Sequence, residues 1–133
     1  MQQVAVISIV DDDAFVREAI ADIVRSLGYD AFTFASAEHF LDSNRAEDTS
    51  CLIADLHMPG LDGLGLQGQL LAKGYRTPVI FITALPQDAL SRRALSASAV
   101  AFLSKPLEER SLISSINSAL KKDREQRARV PAG

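Results

Sequence analysis

The sequence predicts an α/β domain: a parallel sheet with helices on both faces. Three observations predict it. Short runs rich in β-branched residues alternate along the 133 residues with stretches of helical apolar spacing. The runs are apolar throughout rather than alternating with polar residues, as strands buried between two helical layers must be. Helical stretches separate successive runs, which is the pattern of βαβ units. Apolar residues make up 47% of the chain, enough for one core in a chain of ordinary domain size.

Each element follows from its residues. Residues 4–10, VAVISIV, predict a strand buried on both faces. Residues 13–27 put Val16, Ile20, Ile23 and Leu27 on one face of a helix. Gly28 is expected to close that helix, and residues 28–34 continue as a strand. Ser36 is expected to cap a short helix over 36–44. Residues 50–55 predict a strand that ends on Asp55. Residues 63–73 predict a weak helix, since Gly65 and Gly68 each cost about 1 kcal/mol against Ala. A strand over 77–83, a helix over 87–97 and a strand over 99–104 follow. A last helix over 107–122 turns Leu112, Ile113, Ile116 and Leu120 inward. Beyond it the chain has charge, then Val-Pro-Ala-Gly, and no apolar stripe, so it reads as a frayed helix end or a linker stub. One domain over 1–121 and a basic tail over 122–133 are therefore expected.

Composition narrows the function. The net charge is −3, with residues 121–133 at +3 and the remainder at −6. An acidic body argues against direct nucleic-acid binding by this domain. Cys51 is the one cysteine and stands in an apolar run, so it reads as a small buried hydrophobe in a reducing compartment. No apolar run approaches the roughly 20 residues needed to cross a bilayer. The N-terminus runs straight into acids without a basic segment, unlike a signal peptide. A soluble, cytoplasmic protein without membrane contact is expected.

The chemistry lies at the strand ends. In an open parallel sheet, ligands bind beyond the carboxyl ends of the strands. The first strand ends on Asp11 and Asp12, the third on Asp55 and the fourth on Thr83, and the fifth is followed by Lys105 and Pro106. Three carboxylates, a hydroxyl and an ammonium thus meet on one edge. Carboxylates crowded together resist ionisation, and a hard divalent cation relieves them. Oxygen donors without a His or Cys cluster suit Mg²⁺, which commonly serves a phosphoryl group. Lys105 adds a positive charge and Thr83 a donor for phosphoryl oxygens. The glycines of GLDGLGLQG lack the Lys-Ser/Thr ending of a nucleotide-binding phosphate loop. Asp55, central and flanked by the others, is the best-placed nucleophile, able to take a phosphoryl group as an acyl phosphate.

Those residues resemble the receiver domain of two-component response regulators, over residues 4 to about 121. VDDD, DLHMPGLDG, TA and KP occur in the family's order and at near-family spacing; IVDDDAFVR and SAEHFL resemble its FixJ-like group. The resemblance implies a flavodoxin-like (βα)5 fold with strand order 2-1-3-4-5. It implies that Asp55 accepts phosphate from a sensor histidine kinase or phosphotransfer protein. Asp11 and Asp12 would be the acidic pair around Mg²⁺, Asp12 its direct ligand, and the backbone carbonyl of His57 would join them. Lys105 would hold a phosphoryl oxygen, and the bond before Pro106 would be cis. Thr83 would swing to the phosphoryl group and Phe102 would turn inward, changing the face of the fourth helix, fifth strand and fifth helix. Such a protein phosphorylates and dephosphorylates itself but is not an enzyme with a free substrate. Its output would be a downstream protein target or a missing C-terminal DNA-binding domain, with a possible homodimer. Two departures bear on switching: Ser98 stands where the family usually has Gly, and Pro86 stands in the loop that moves with Thr83.

Plainer readings compete at single residues. Asp13 reads as a helix cap and Asp62 as a turn residue. His39, Arg92 and Arg93 read as solvated, and the side chain of His57 either tunes the site or is an ordinary loop histidine. Other functions also compete. A Mg²⁺-dependent phosphatase with an aspartyl nucleophile would need a substrate cap and a carboxylate two residues on, where His57 stands. A receiver-like docking module that works without phosphorylation would not need Asp12, Asp55, Thr83 and Lys105.

Overall fold

The computed structural model describes residues 4–129. Its elements run β1 (Val6–Val10), α1 (Ala14–Ser26), β2 (Asp30–Phe34), α2 (Ala37–Asp42), β3 (Cys51–Asp55), α3 (Gly63–Ala72), β4 (Val79–Thr83), α4 (Ala89–Leu95), β5 (Ala101–Ser104) and α5 (Glu109–Ala128). The five strands pair in parallel in the order β2-β1-β3-β4-β5. β1 and β3 are central, which puts Asp11 and Asp55 beside each other at one edge.

Alternate residues of each central strand feed two separate cores. Ile7, Ile9, Ile53, Ile80 and Ile82 pack under α1 and α5, against Ile20, Val24, Leu112, Ile116 and Leu120. Val10, Leu52, Ala54, Val79 and Phe81 face α2, α3 and α4, against Phe40, Leu66, Leu70 and Ala94. Both faces are dry, which is why β3 and β4 are buried at every position and could be read as unbroken apolar runs.

Local chemistry sets the ends. Asp13 caps α1, its carboxylate accepting from the N–H groups of Phe15 and Val16. Ser36 caps α2 by accepting from His39 N–H, and Asp62 caps α3 by accepting from Gly65 N–H. Gly28, at φ +90°, takes the left-handed position just past α1 and donates to Arg25 O. Asn44 has φ 62° and is the one non-glycine residue in that region among those described. Ser98 is therefore unstrained; its carbonyl accepts from Gln67 Nε2 at 2.8 Å, tying α3 to the loop before β5.

Some boundaries differ from expectation. The deepest residues of α1 are Ile20, Ala21 and Val24, while Val16, Ile23 and Leu27 lie at the flank of the core. α4 begins at Ala89 because Asp88 caps it; Pro86 lies in a tight turn closed by Asp88 N–H and Leu85 O. α5 runs on to Ala128, six residues past its expected end at 122. Asp123, buried against the body, accepts from Arg127 Nε with both oxygens at 2.9 and 3.0 Å, which holds the added turns. The last four residues of the tail lie outside the described residues. No helix among the described residues is long and apolar enough to cross a membrane.

Candidate functional site

Four strand ends build one site. Backbone hydrogen bonds carry the ladder one residue beyond the strands: Asp11 N–H donates to Phe34 O, Leu56 N–H to Ile82 O and Lys105 N–H to Thr83 O. Arg17 Nη1, one turn into α1, donates to Asp11 O at 2.8 Å. Gly63 packs so closely on the end of β3 that a Cβ there would stand 2.5 Å from Asp55 O. The loop between them is held from outside, since Glu38 accepts from Leu61 N–H at 3.0 Å.

The side chains converge. Carboxylate oxygens of Asp11, Asp12 and Asp55 lie within 4.8 Å of one another. Asp11 and Asp55 are buried and Asp12 is exposed. Lys105 Nζ stands 2.8 Å from Asp55 Oδ2 and 3.1 Å from Asp11 Oδ2. Asp55 Oδ1 accepts from His57 N–H at 3.0 Å, and Asp11 Oδ1 from Asp13 N–H at 2.9 Å. Asp11 Oδ2 is buried and makes no hydrogen bond; Lys105 offers it charge at close range but not the directional contact. Burial above all, with the nearby charge of Asp55 adding to it, pushes the Asp11 carboxyl up to about 6 against the pull of Asp13 N–H and Lys105. Burial works against the Lys105 ammonium, but its hydrogen bond to Asp55 and the charges of Asp55 and Asp11 outweigh that and hold its pKa above the ordinary lysine value.

A folded chain that keeps an under-bonded buried carboxylate beside two others has the donor set for a hard divalent cation: oxygens alone, one edge open through Asp12. The acidic triad is consistent with a receiver metal site.

The family model for the response regulator receiver domain matches residues 7–117. The chain belongs to that family. Receivers of this family are not classical enzymes. Nodulation protein W of Bradyrhizobium diazoefficiens is 36% identical over 123 residues, 92% of this chain and 54% of that protein. Response regulator protein TodT of Pseudomonas putida is 39% identical over 127 residues, 96% of this chain and 56% of that one. The chain thus spans about half the length of the curated relatives it matches. Among solved structures, the response regulator StyR superposes with a TM-score of 0.87 at 39% identity, covering 95% of this chain and 64% of that one. The isolated FixJ-N structure superposes with a TM-score of 0.79 at 30% identity and covers both chains in full. The strand order and the FixJ-like flavour expected from the sequence are both met.

The structure brings together Asp11, Asp12, Asp55, Lys105 and, through its backbone N–H, His57. Thr83 is buried at the end of β4, with its hydroxyl turned to His57 and Ser91 rather than to Asp55. Phe102 pairs with Phe81 across β4 and β5 and lies half-buried against the α3–α4 core. The bond between Lys105 and Pro106 is cis. Two residues that touch this neighbourhood escaped the sequence reading: Asp88, which accepts from His57 Nε2 at 2.6 Å, and Ser91, 3.3 Å from Thr83 Oγ1. The signal for Asp88 was available, since an Asp ahead of an apolar-periodic stretch marks a helix start.

Proposed function

We propose that this chain is the phosphoacceptor module of a two-component regulator, with Asp55 as the acceptor. The observation that carries the reading is the position of Lys105 Nζ, within 3.1 Å of both buried carboxylates of an acidic triad delivered by separate strands. A phosphohistidine of a sensor kinase or phosphotransfer protein supplies the phosphoryl group. An Asp55 carboxylate oxygen forms the new P–O bond as the P–N bond to histidine breaks, and the leaving imidazole takes up a proton. Asp11, Asp12, Asp55 and the His57 carbonyl are the residues that would hold Mg²⁺, which when bound supplies charge for phosphoryl oxygens. Lys105 keeps its proton and follows the negative charge from Asp55 Oδ2 to a phosphoryl oxygen. Thr83 then turns toward the new dianion, and Phe102 follows into the space beside β4. The α4–β5–α5 face carries the change to a downstream protein, to a DNA-binding domain beyond residues 1–121, or to a second copy of the receiver. Residues 122–133, helical as far as Ala128, are read as the basic tail or linker stub of this module, which acts in the cytoplasm.

Intact-mass measurement after incubation with acetyl phosphate tests the reading. One added phosphoryl group is expected, requiring both Mg²⁺ and Asp55, and absent in Asp55→Ala. An adduct that persists in Asp55→Ala refutes the assignment of the acceptor.

A further inference from the structure

A chain of hydrogen bonds leaves the site by way of Thr83 and ends at the first turn of α4. Thr83 Oγ1 lies 3.2 Å from His57 Nδ1, and His57 Nε2 lies 2.6 Å from Asp88 Oδ2. The other oxygen of Asp88 caps α4, accepting from Ser91 N–H at 2.8 Å. Leu85 N–H donates to Thr83 Oγ1 at 2.9 Å, and Ser91 Oγ donates to Leu85 O at 2.6 Å.

Counting protons gives the chain a direction. A carboxylate only accepts, so the ring nitrogen facing Asp88 carries a proton. In the neutral ring the other nitrogen, Nδ1, is then an acceptor, and the Thr83 hydroxyl donates to it. Ser91 has already given its proton to Leu85 O, so it offers Thr83 none and, at 3.3 Å, is a more distant acceptor for the Thr83 proton than His57 Nδ1 at 3.2 Å. Thr83 has one proton, and the resting network uses it. The Ser91 N–H bonds one oxygen of Asp88 and the His57 ring the other. One residue thereby sets both the start of α4 and the tautomer of the ring beside Thr83.

We propose that Asp88 is a positioning residue: acting through His57, it latches the Thr83 hydroxyl toward α4. A phosphoryl group on Asp55 can engage Thr83 only by drawing that proton off His57. The competition with phosphate rests on the function proposed above; the latch itself belongs to the resting protein.

Two variants test it. Asp88→Ser keeps a good helix cap but is too short to reach His57. Asp88→Asn keeps both cap and reach but turns an N–H₂ group toward Nε2, which reverses the tautomer the ring must adopt. The readouts are the ¹⁵N shifts of the His57 ring, the methyl shift of Thr83 with and without beryllium fluoride, and the rate of acetyl phosphate uptake. Wild type is expected to hold the Nε2–H tautomer. Asp88→Ser is expected to lose that preference and Asp88→Asn to invert it. In both, the resting Thr83 methyl signal moves toward its fluoride-loaded position and uptake rises about five- to tenfold, the worth of one ordinary hydrogen bond. A residue that merely holds up α4 would not move the ring tautomer. The latch is overturned if wild type holds the Nδ1–H tautomer, or if either variant leaves His57 and Thr83 as they are in wild type. Failure of the phosphoacceptor reading shows separately, as no Asp55-dependent adduct in wild type, because the tautomer is read with no phosphoryl donor present.

Discussion

Removing the charge of Asp11 is expected to stabilise the metal-free protein at neutral pH. Its carboxyl is fully buried and holds its proton up to about pH 6, against 3.8 for the free group. The fold therefore binds that proton more tightly than the unfolded chain does. The stability this contributes is complete below pH 4 and is lost as pH rises through 6. The gap corresponds to about 3 kcal/mol at pH 8. Asparagine in the same place escapes that loss and keeps an oxygen for Asp13 N–H, but sets an N–H₂ group against Lys105, which reduces the gain to about 1–2 kcal/mol. For a domain of this size that is roughly 3–8 °C in Tm. Thermal melts of wild type and Asp11→Asn in EDTA, from pH 4.5 to 8, check it. The variant is expected to melt higher at pH 8 and no higher at pH 4.5, and millimolar Mg²⁺ should reverse the order at pH 8. Equal melting at pH 8 in EDTA would show that the buried carboxylate is not under strain and would refute the electrostatic account of the site.

Further expectations concern single contacts. Lys105→Ala leaves Asp11 and Asp55 facing each other without a cation; it should still bind Mg²⁺, lose at least tenfold in phosphoryl uptake, and show little of the wild-type NMR response to phosphorylation. Gly63→Ala places a Cβ 2.5 Å from Asp55 O, so the end of β3 must shift; urea unfolding should show a loss of about 2 kcal/mol or more, with uptake reduced. Gly68 meets nothing within 4 Å and is exposed, so Gly68→Ala should add about 0.5–1 kcal/mol in the same assay without affecting uptake. Ser36→Ala removes the α2 cap and should cost about 1 kcal/mol.

What could be read in advance followed from two kinds of regularity. Strands dry on both faces are contiguous apolar runs, so β3 and β4 could be located, and a parallel sheet sends every strand end to one edge. That rule alone gathered Asp11, Asp12, Asp55, Thr83 and Lys105. The order of the strands did not follow from it and came with the family resemblance. The Asp88–His57 pair was hidden because its members stand 31 residues apart and neither carries an apolar period. The far turns of α5 were hidden for a related reason: they persist through helix-favouring charged residues and the Asp123–Arg127 pair, which a search for an inward stripe passes over. Gly65 and Gly68 look alike in sequence, yet a Cβ at Gly65 would meet Leu61 Cδ1 at 2.6 Å while one at Gly68 meets open space.

The length of α5 has a mechanical meaning. At 1.5 Å per residue its 20 residues span about 30 Å, while the five-residue strands beside it span about 17 Å. Leu112, Ile116, Ala119 and Leu120 anchor the near part in the core under β3 and β4. The rest is a stiff arm, pinned at Asp123. A tilt of the whole rod by about 5° would carry its end at Arg129 sideways by about 2 Å over the roughly 25 Å from Leu112, and would have to move Asp123 with it. A single rod of that length would turn a small repacking at the top of the sheet into a larger displacement at the other pole.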